Sequence, residues 1–170
     1  GSLLKSIIIQ KTKNNGYFYK NISGSQGYNS GYQKFILSSG LKFNKIEIDI
    51  NLEKENSNCY ILSGLNLGKG EHQEIKTRIN HLAPNCKSYQ KVKNVLNSDG
   101  KGVYQGKIFV KDIAQKTNAY QLSKAMLLSD NSEFNSKPEL EIYADDVKCS
   151  HGSTSGSIDE DSIYYLMSRG

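Results

Sequence analysis

At 170 residues, with 36% hydrophobic content and a mean hydropathy of -0.58, the chain is long enough for one sizeable core, short for two, and too regularly apolar to be disordered. No apolar run approaches the ~20 residues that a membrane helix requires. The net charge of +5 is carried almost wholly by lysines spread along the sequence, and the arginines are Arg78 and Arg169. No basic run interleaved with aromatics forms a nucleic-acid platform, so the charge reads as a solvated surface.

The start, Gly1–Ser6, lacks the basic and long apolar regions of a signal peptide, and Gly1-Ser2 reads as a cloning remnant. Cys59, Cys86 and Cys149 form no dense framework, which points to a compartment where thiols stay reduced, the cytoplasm. The first clear element is Lys45–Leu52, where Ile46, Ile48, Ile50 and Leu52 alternate with Lys45, Glu47, Asp49 and Asn51. Strand side chains point alternately to opposite faces, so this predicts a half-buried strand with a wet outer face. Asn58–Ser63, Gly102–Val110 and Leu140–Ala144 show similar patterning. Strands at intervals of roughly ten residues, with Gly, Ser and Asn between them, fit a sandwich, a barrel or a stacked β-solenoid. No hexapeptide repeat and no Trp-Asp blade signature selects among these.

Between the strands, Glu71–His81 holds Glu71, His72, Glu74 and His81, but the histidines fail the spacing of helical metalloprotease motifs, which favours a surface or core role. The glycines of Leu65–Gly70 do not precede the Gly-Lys-Ser or Gly-Lys-Thr of a phosphate loop. Farther on, "ADDVKCSHGS" (144–153) sets Cys149 and His151 two residues apart. On a strand these share one face, about 7 Å apart at ~3.4 Å rise per residue, so sulfur and imidazole can lean toward one metal ion. Asp145 lies on the same face of a straight strand and Asp146 on the opposite one, although a solvated strand end with turn capping is the simpler assignment for both. The competing reading of the pair is structural: a buried cysteine beside a histidine bonded to a backbone carbonyl. Nothing nearby supplies an oxyanion hole for a cysteine hydrolase.

The last element is a helix over Ile158–Met167, with Ile163, Leu166 and Met167 at helical spacing and Ser157 or Asp159 as its cap. It is followed directly by Ser168-Arg169-Gly170, so the sequence reads as a fragment that continues helically, with Arg169 anchoring the end of the core.

From His72 onward the chain resembles the SufB/SufD family of the sulfur-mobilisation iron-sulfur cluster assembly system, and within it the SufD side. The resemblance is carried by Thr77–Ser88, Gly102–Val110, Ala114–Gln121, Leu127–Ser129, Tyr164–Gly170 and above all Pro138–Gly152, "PELEIYADDVKCSHG". It implies an all-β fold, an irregular right-handed parallel β-helix with a short C-terminal helix, forming a single core domain over 1–170. It also implies a non-enzymatic scaffold. The expected partners are a SufB-like subunit, joined through the C-terminal end of the β-helix, and a SufC-like ATPase, reached through helices beyond residue 170. A transient iron-sulfur cluster would assemble at the junction, with His151 as candidate ligand and Cys149 beside it; the isolated fragment is expected to hold none. Cys-Ser-His-Gly stands where SufB-type chains have Glu-His-Glu, and Ser153 stands where alanine commonly follows the glycine. Cys86 reads as a buried structural thiol.

Two other readings compete. A β-helix acting on a polysaccharide would need an acidic cluster or basic residues along an exposed groove, and the sequence reveals neither. A self-associating module would use unpaired strand edges at the end of the β-helix, giving the fragment an isologous homodimer.

Overall fold

The computed structural model describes residues 1–12, 16–157 and 159–170. Eleven strands succeed one another: β1 (Leu3–Lys11), β2 (Tyr17–Gln26), β3 (Gly31–Ser39), β4 (Phe43–Leu52), β5 (Asn58–Leu67), β6 (His72–His81), β7 (Lys87–Leu96), β8 (Lys101–Val110), β9 (Asn118–Leu127), β10 (Glu133–Ile142) and β11 (Lys148–Ser157). The helix α1 (Glu160–Met167) follows. Odd strands form a six-stranded sheet in the order β1-β3-β5-β7-β9-β11, and even strands a five-stranded sheet in the order β2-β4-β6-β8-β10. Every pair is parallel, so each strand bonds to the strand one turn later and the opposite sheet supplies the crossover. The result is a β-solenoid of about five turns, as the family resemblance implied.

Alternation explains why two sheets suffice. Parallel sheets are usually covered on both faces by helices, and among the described residues no helix lies between the strands. Each sheet instead turns one face inward and leaves the other wet. In β4, Ile46, Ile48, Ile50 and Leu52 are buried as their alternation predicted. Register stacks like on like: Ile50, Ile79 and Ile108 form one inward column, and Ile46, Ile75 and Tyr104 another. Full burial of one such aliphatic side chain contributes about 1.5–3 kcal/mol.

The strands begin 12–17 residues apart, longer than the interval read from sequence, and β-strands of the six-stranded sheet begin at 3, 31, 58, 87, 118 and 148. A turn of 27–31 residues therefore repeats, and its signature is local. Asn29, Asn56, Asn85 and Lys116 have φ of 52°, 58°, 59° and 59°. This left-handed conformation is one that asparagine tolerates better than most residues. The N–H groups of Asn29, Asn56 and Asn85 donate to the carbonyls of Glu55, Pro84 and Gln115 on the next turn. The residue after each is buried: Ser30, Ser57, Cys86 and Thr117. Cys86 thus occupies a turn position, its Sγ 3.2 Å from Ser57 Oγ.

β10 ends at Ile142, two residues before the expected Ala144, and Asp145 and Asp146 lie in the turn before β11, the simpler of the two assignments the sequence offered. At the helix, Asp159 is the cap, accepting from Ser162 N, while Ser157 closes β11; Ile158 lies outside the described residues. Arg169 does not anchor the core, because its guanidinium sits 5.2 Å over the ring of Tyr165 in its own helical segment.

Candidate functional site

The last strand carries the candidate residues. Pairing of β11 with β9 sets Cys149 beside Ala119 and His151 beside Gln121. Since Ala119 and Gln121 are buried, both candidate side chains have the inward parity that their spacing predicted. The inward columns are Cys59, Ser88, Ala119 and Cys149 on one rung set, and Ile61, Gln90, Gln121 and His151 on the next.

What differs from the earlier turns is exposure. Among the described residues no strand covers the final turn, so His151 is exposed and Cys149 half-buried although their columns are sealed one rung below. Opposite them, the inward positions of β10 include Phe134 and Leu140, half-buried, and Ile142, exposed. The end of the solenoid is therefore an open mouth with apolar residues on one wall and Cys149, His151 and Ser153 on the other.

The floor of this mouth is polar. Tyr104 hydroxyl lies 3.3 Å from Gln121 Oε1, 3.5 Å from Gln90 Oε1 and 3.4 Å from Thr77 Oγ1. Ser123 Oγ links Ser136 Oγ at 2.7 Å and Ser153 Oγ at 2.9 Å, tying the final turn to the one beneath. Burial pushes the Tyr104 hydroxyl up to about 12, so it stays a neutral hydrogen-bond donor. Sequence patterning missed this column, because glutamine and threonine at inward positions look like interruptions of a strand.

Burial also raises the Cys149 thiol above the ordinary cysteine value, against a smaller opposing effect of its hydrogen bond with the Ala119 backbone. The thiol is consequently protonated at neutral pH, and a metal must displace that proton to bind. Among the described residues, no group of three or more His, Cys, Asp or Glu side chains can hold a metal ion. Cys149 and His151 are thus two donors at an open edge.

The other candidates lie elsewhere. Asp146 sits in the turn before β11, its N–H held by Gln115 Oε1 at 2.9 Å, beside Lys116 and Lys148. His72 pairs with Glu74 at 2.9 Å and stacks on Phe43 at 5.3 Å on the outer face of the five-stranded sheet. His81, nine positions on along the same strand, points inward, with Nε2 2.8 Å from Ser88 Oγ. Cys59 is fully buried, its thiol pushed up to about 12 by that burial. Three rungs of ~4.8 Å separate it from Cys149, so the two do not share a ligand.

Comparison with known proteins agrees with this architecture. The family described as "SUF system FeS cluster assembly, SufBD core domain" matches residues 1–170, including the first seventy, where the sequence offered only strand patterning. The chain is 41% identical over 119 residues to the iron-sulfur cluster assembly protein SufD of Escherichia coli, covering 70% of this chain and 28% of that protein. It is 32% identical over 146 residues to an iron-sulfur cluster assembly SufBD family protein of Synechocystis sp., covering 86% of this chain and 32% of that protein. A shorter stretch of 76 residues is 45% identical to the chloroplastic protein ABCI7 of Arabidopsis thaliana, 45% of this chain and 16% of that protein. The chain thus spans less than a third of the length of these curated relatives in each match.

Proposed function

Because the chain belongs to the SufBD core domain family of the SUF iron-sulfur cluster assembly system, we propose that it is the core of a non-enzymatic scaffold subunit whose open C-terminal end pairs with a SufB-like subunit to form the assembly site. The observation that carries this reading is the mouth itself. At it the His151 imidazole and the Cys149 thiol stand at inward positions of β11 that no other strand among the described residues covers, with half-buried Phe134 and Leu140 across from them.

Iron with sulfide suits thiolate and imidazole donors, and two donors need a partner to complete a coordination shell. A cluster held at such a junction can leave when the junction opens. A SufC-like ATPase, bound outside residues 1–170, is the proposed source of that opening, and the cluster is cargo rather than a resident cofactor. Reduced thiols are consistent with work in the cytoplasm. Among the described residues, no helix is long and apolar enough to cross a membrane.

The test is anaerobic cluster reconstitution on the full-length protein co-purified with its SufB-like and ATPase partners. Even loss of an outer-sphere partner costs about 10–100-fold in metal affinity, so removal of a ligand in His151→Ala is expected to lower bound iron and sulfide at least as much. Equal iron, sulfide and visible absorbance in an intact His151→Ala complex would show that the partner supplies the ligands and that His151 is structural.

A further inference from the structure

The lysines look scattered in sequence, yet the fold sorts charge by sheet. The strands of the six-stranded sheet hold eight lysines and no aspartate or glutamate, whereas those of the five-stranded sheet set seven Lys and Arg against six acids. One of the eight, Lys34, is buried inside and donates to Ser6 Oγ at 2.7 Å. The remaining seven face outward on the six-stranded sheet, and among the described residues none of them makes an ion pair. The lysine ion pairs, of Lys45, Lys101 and Lys107, all lie on the other sheet.

Through the middle of this acid-free face runs a ladder of tyrosines set by register, Tyr60, Tyr89 and Tyr120. Ring centroids are 6.5 Å apart in the first pair and 5.6 Å in the second. None of the three hydroxyls has a hydrogen-bond partner among the described residues. On one side of the ladder stand Lys87 and Lys148, with Lys116 on the adjoining turn, around a concavity of about 350 Å³ that Asp146 also lines. On the other side are Lys91, then Lys93 and Lys124.

We infer that this outer face is a docking surface for an acidic polypeptide segment, whose carboxylates would accept from the lysine ammoniums and the tyrosine hydroxyls. Charge complementarity selects the partner: a sheet face of free lysines, with Asp146 the acid at the edge of its concavity, attracts carboxylates and repels basic partners. Two features favour polypeptide over nucleic acid. Tyr89 stacks on Tyr120 and is flanked by the tilted ring of Tyr60 at 6.5 Å, which leaves a base little room between the rings. The face also carries only lysine, whereas planar, bidentate phosphate recognition favours arginine; Arg78 is on the other sheet and Arg169 beyond the solenoid. The inference is independent of the assembly role, since it concerns the outer wall and not the mouth.

Fluorescence anisotropy of a labelled short poly-L-glutamate with the 170-residue protein tests this, with single-stranded oligothymidylate as the competing probe. Replacing three flanking charges in K87Q/K91Q/K148Q is expected to weaken poly-glutamate binding about tenfold, with the affinity of the native chain falling as salt rises. K76Q/K101Q/K137Q, which removes the same charge from the outer face of the five-stranded sheet, should change it by less than about twofold. Tyr89→Phe, which keeps the ring stack, should cost about threefold through the lost hydroxyl. Equal losses in the two triple variants would overturn the inference by reducing it to net charge, and tighter binding of oligothymidylate would overturn it in favour of nucleic acid.

Discussion

The imidazole of His81, sealed between the two sheets, gives the fold an acid limit that can be measured. It has no exposed surface, its Nε2 meets Ser88 Oγ at 2.8 Å, and its Nδ1 has no hydrogen-bond partner among the described residues. Burial disfavours the imidazolium and lowers its pKa from 6.5 to about 4. The unfolded chain therefore takes up a proton at a higher pH than the native chain does, and stability falls as pH falls. The contribution of this residue is complete above pH 6.5, is lost progressively between there and pH 4, and amounts to about 3 kcal/mol in full, of which about 2 kcal/mol is gone by pH 5.

The assay is urea unfolding, followed by far-ultraviolet circular dichroism, at neutral pH and near pH 5 for the native chain and His81→Gln. Every other titrating group is present in both proteins, so the difference between the two pH dependences isolates His81. The native chain is expected to lose about 2 kcal/mol more than the variant over that interval. Parallel pH dependences would refute the reasoning, because they would mean that the native state admits water or a proton to His81 at little cost.

Other outcomes follow from the same packing. At Gly106, a Cβ would stand 2.3 Å from both Tyr104 Oη and Gln121 Oε1, two buried atoms of the polar column. Gly106→Ala is expected to destabilise by about 1–3 kcal/mol in urea unfolding, and an unchanged midpoint would show that the column yields freely. The unpaired edge of β11 predicts that the isolated chain self-associates through its C-terminal end as an isologous dimer. Light scattering at high concentration should then report a dimer that Ser155→Lys, which puts a cation on the contacting edge of both copies, converts to monomer; a monomeric native chain removes the idea.

The strands were legible wherever inward positions were aliphatic. Ile46, Ile48, Ile50 and Leu52 announce β4 because apolar and polar residues alternate without exception. β9 and β11 were harder to read, since their inward positions include Gln121, Ser123, Cys149, His151 and Ser153, and a polar lumen erases the pattern on which such reading depends. The period was hidden for a related reason. A stacked turn needs only a left-handed residue, then a small buried one, then an alternating strand. Asn56-Ser57, Asn85-Cys86 and Lys116-Thr117 meet that requirement with different residues and uneven spacing. The lysine face was invisible because proximity in a solenoid comes from positions one turn apart: Lys87 and Lys148 are sixty-one residues apart in sequence but stand in one row with Asn118 between them.

The same logic bears on the two readings of Cys149 and His151. Cys149 does continue the column of Cys59, Ser88 and Ala119, which is what a structural role requires. His151, however, is exposed at a position whose counterparts Gln90 and Gln121 are fully buried, and across from it Ile142 is also exposed. An exposed imidazole beside an exposed isoleucine at the same edge makes a suitable contact surface for the proposed partner. The reconstitution of His151→Ala therefore belongs in the complete complex, where the proposed junction with a second chain would cover both side chains.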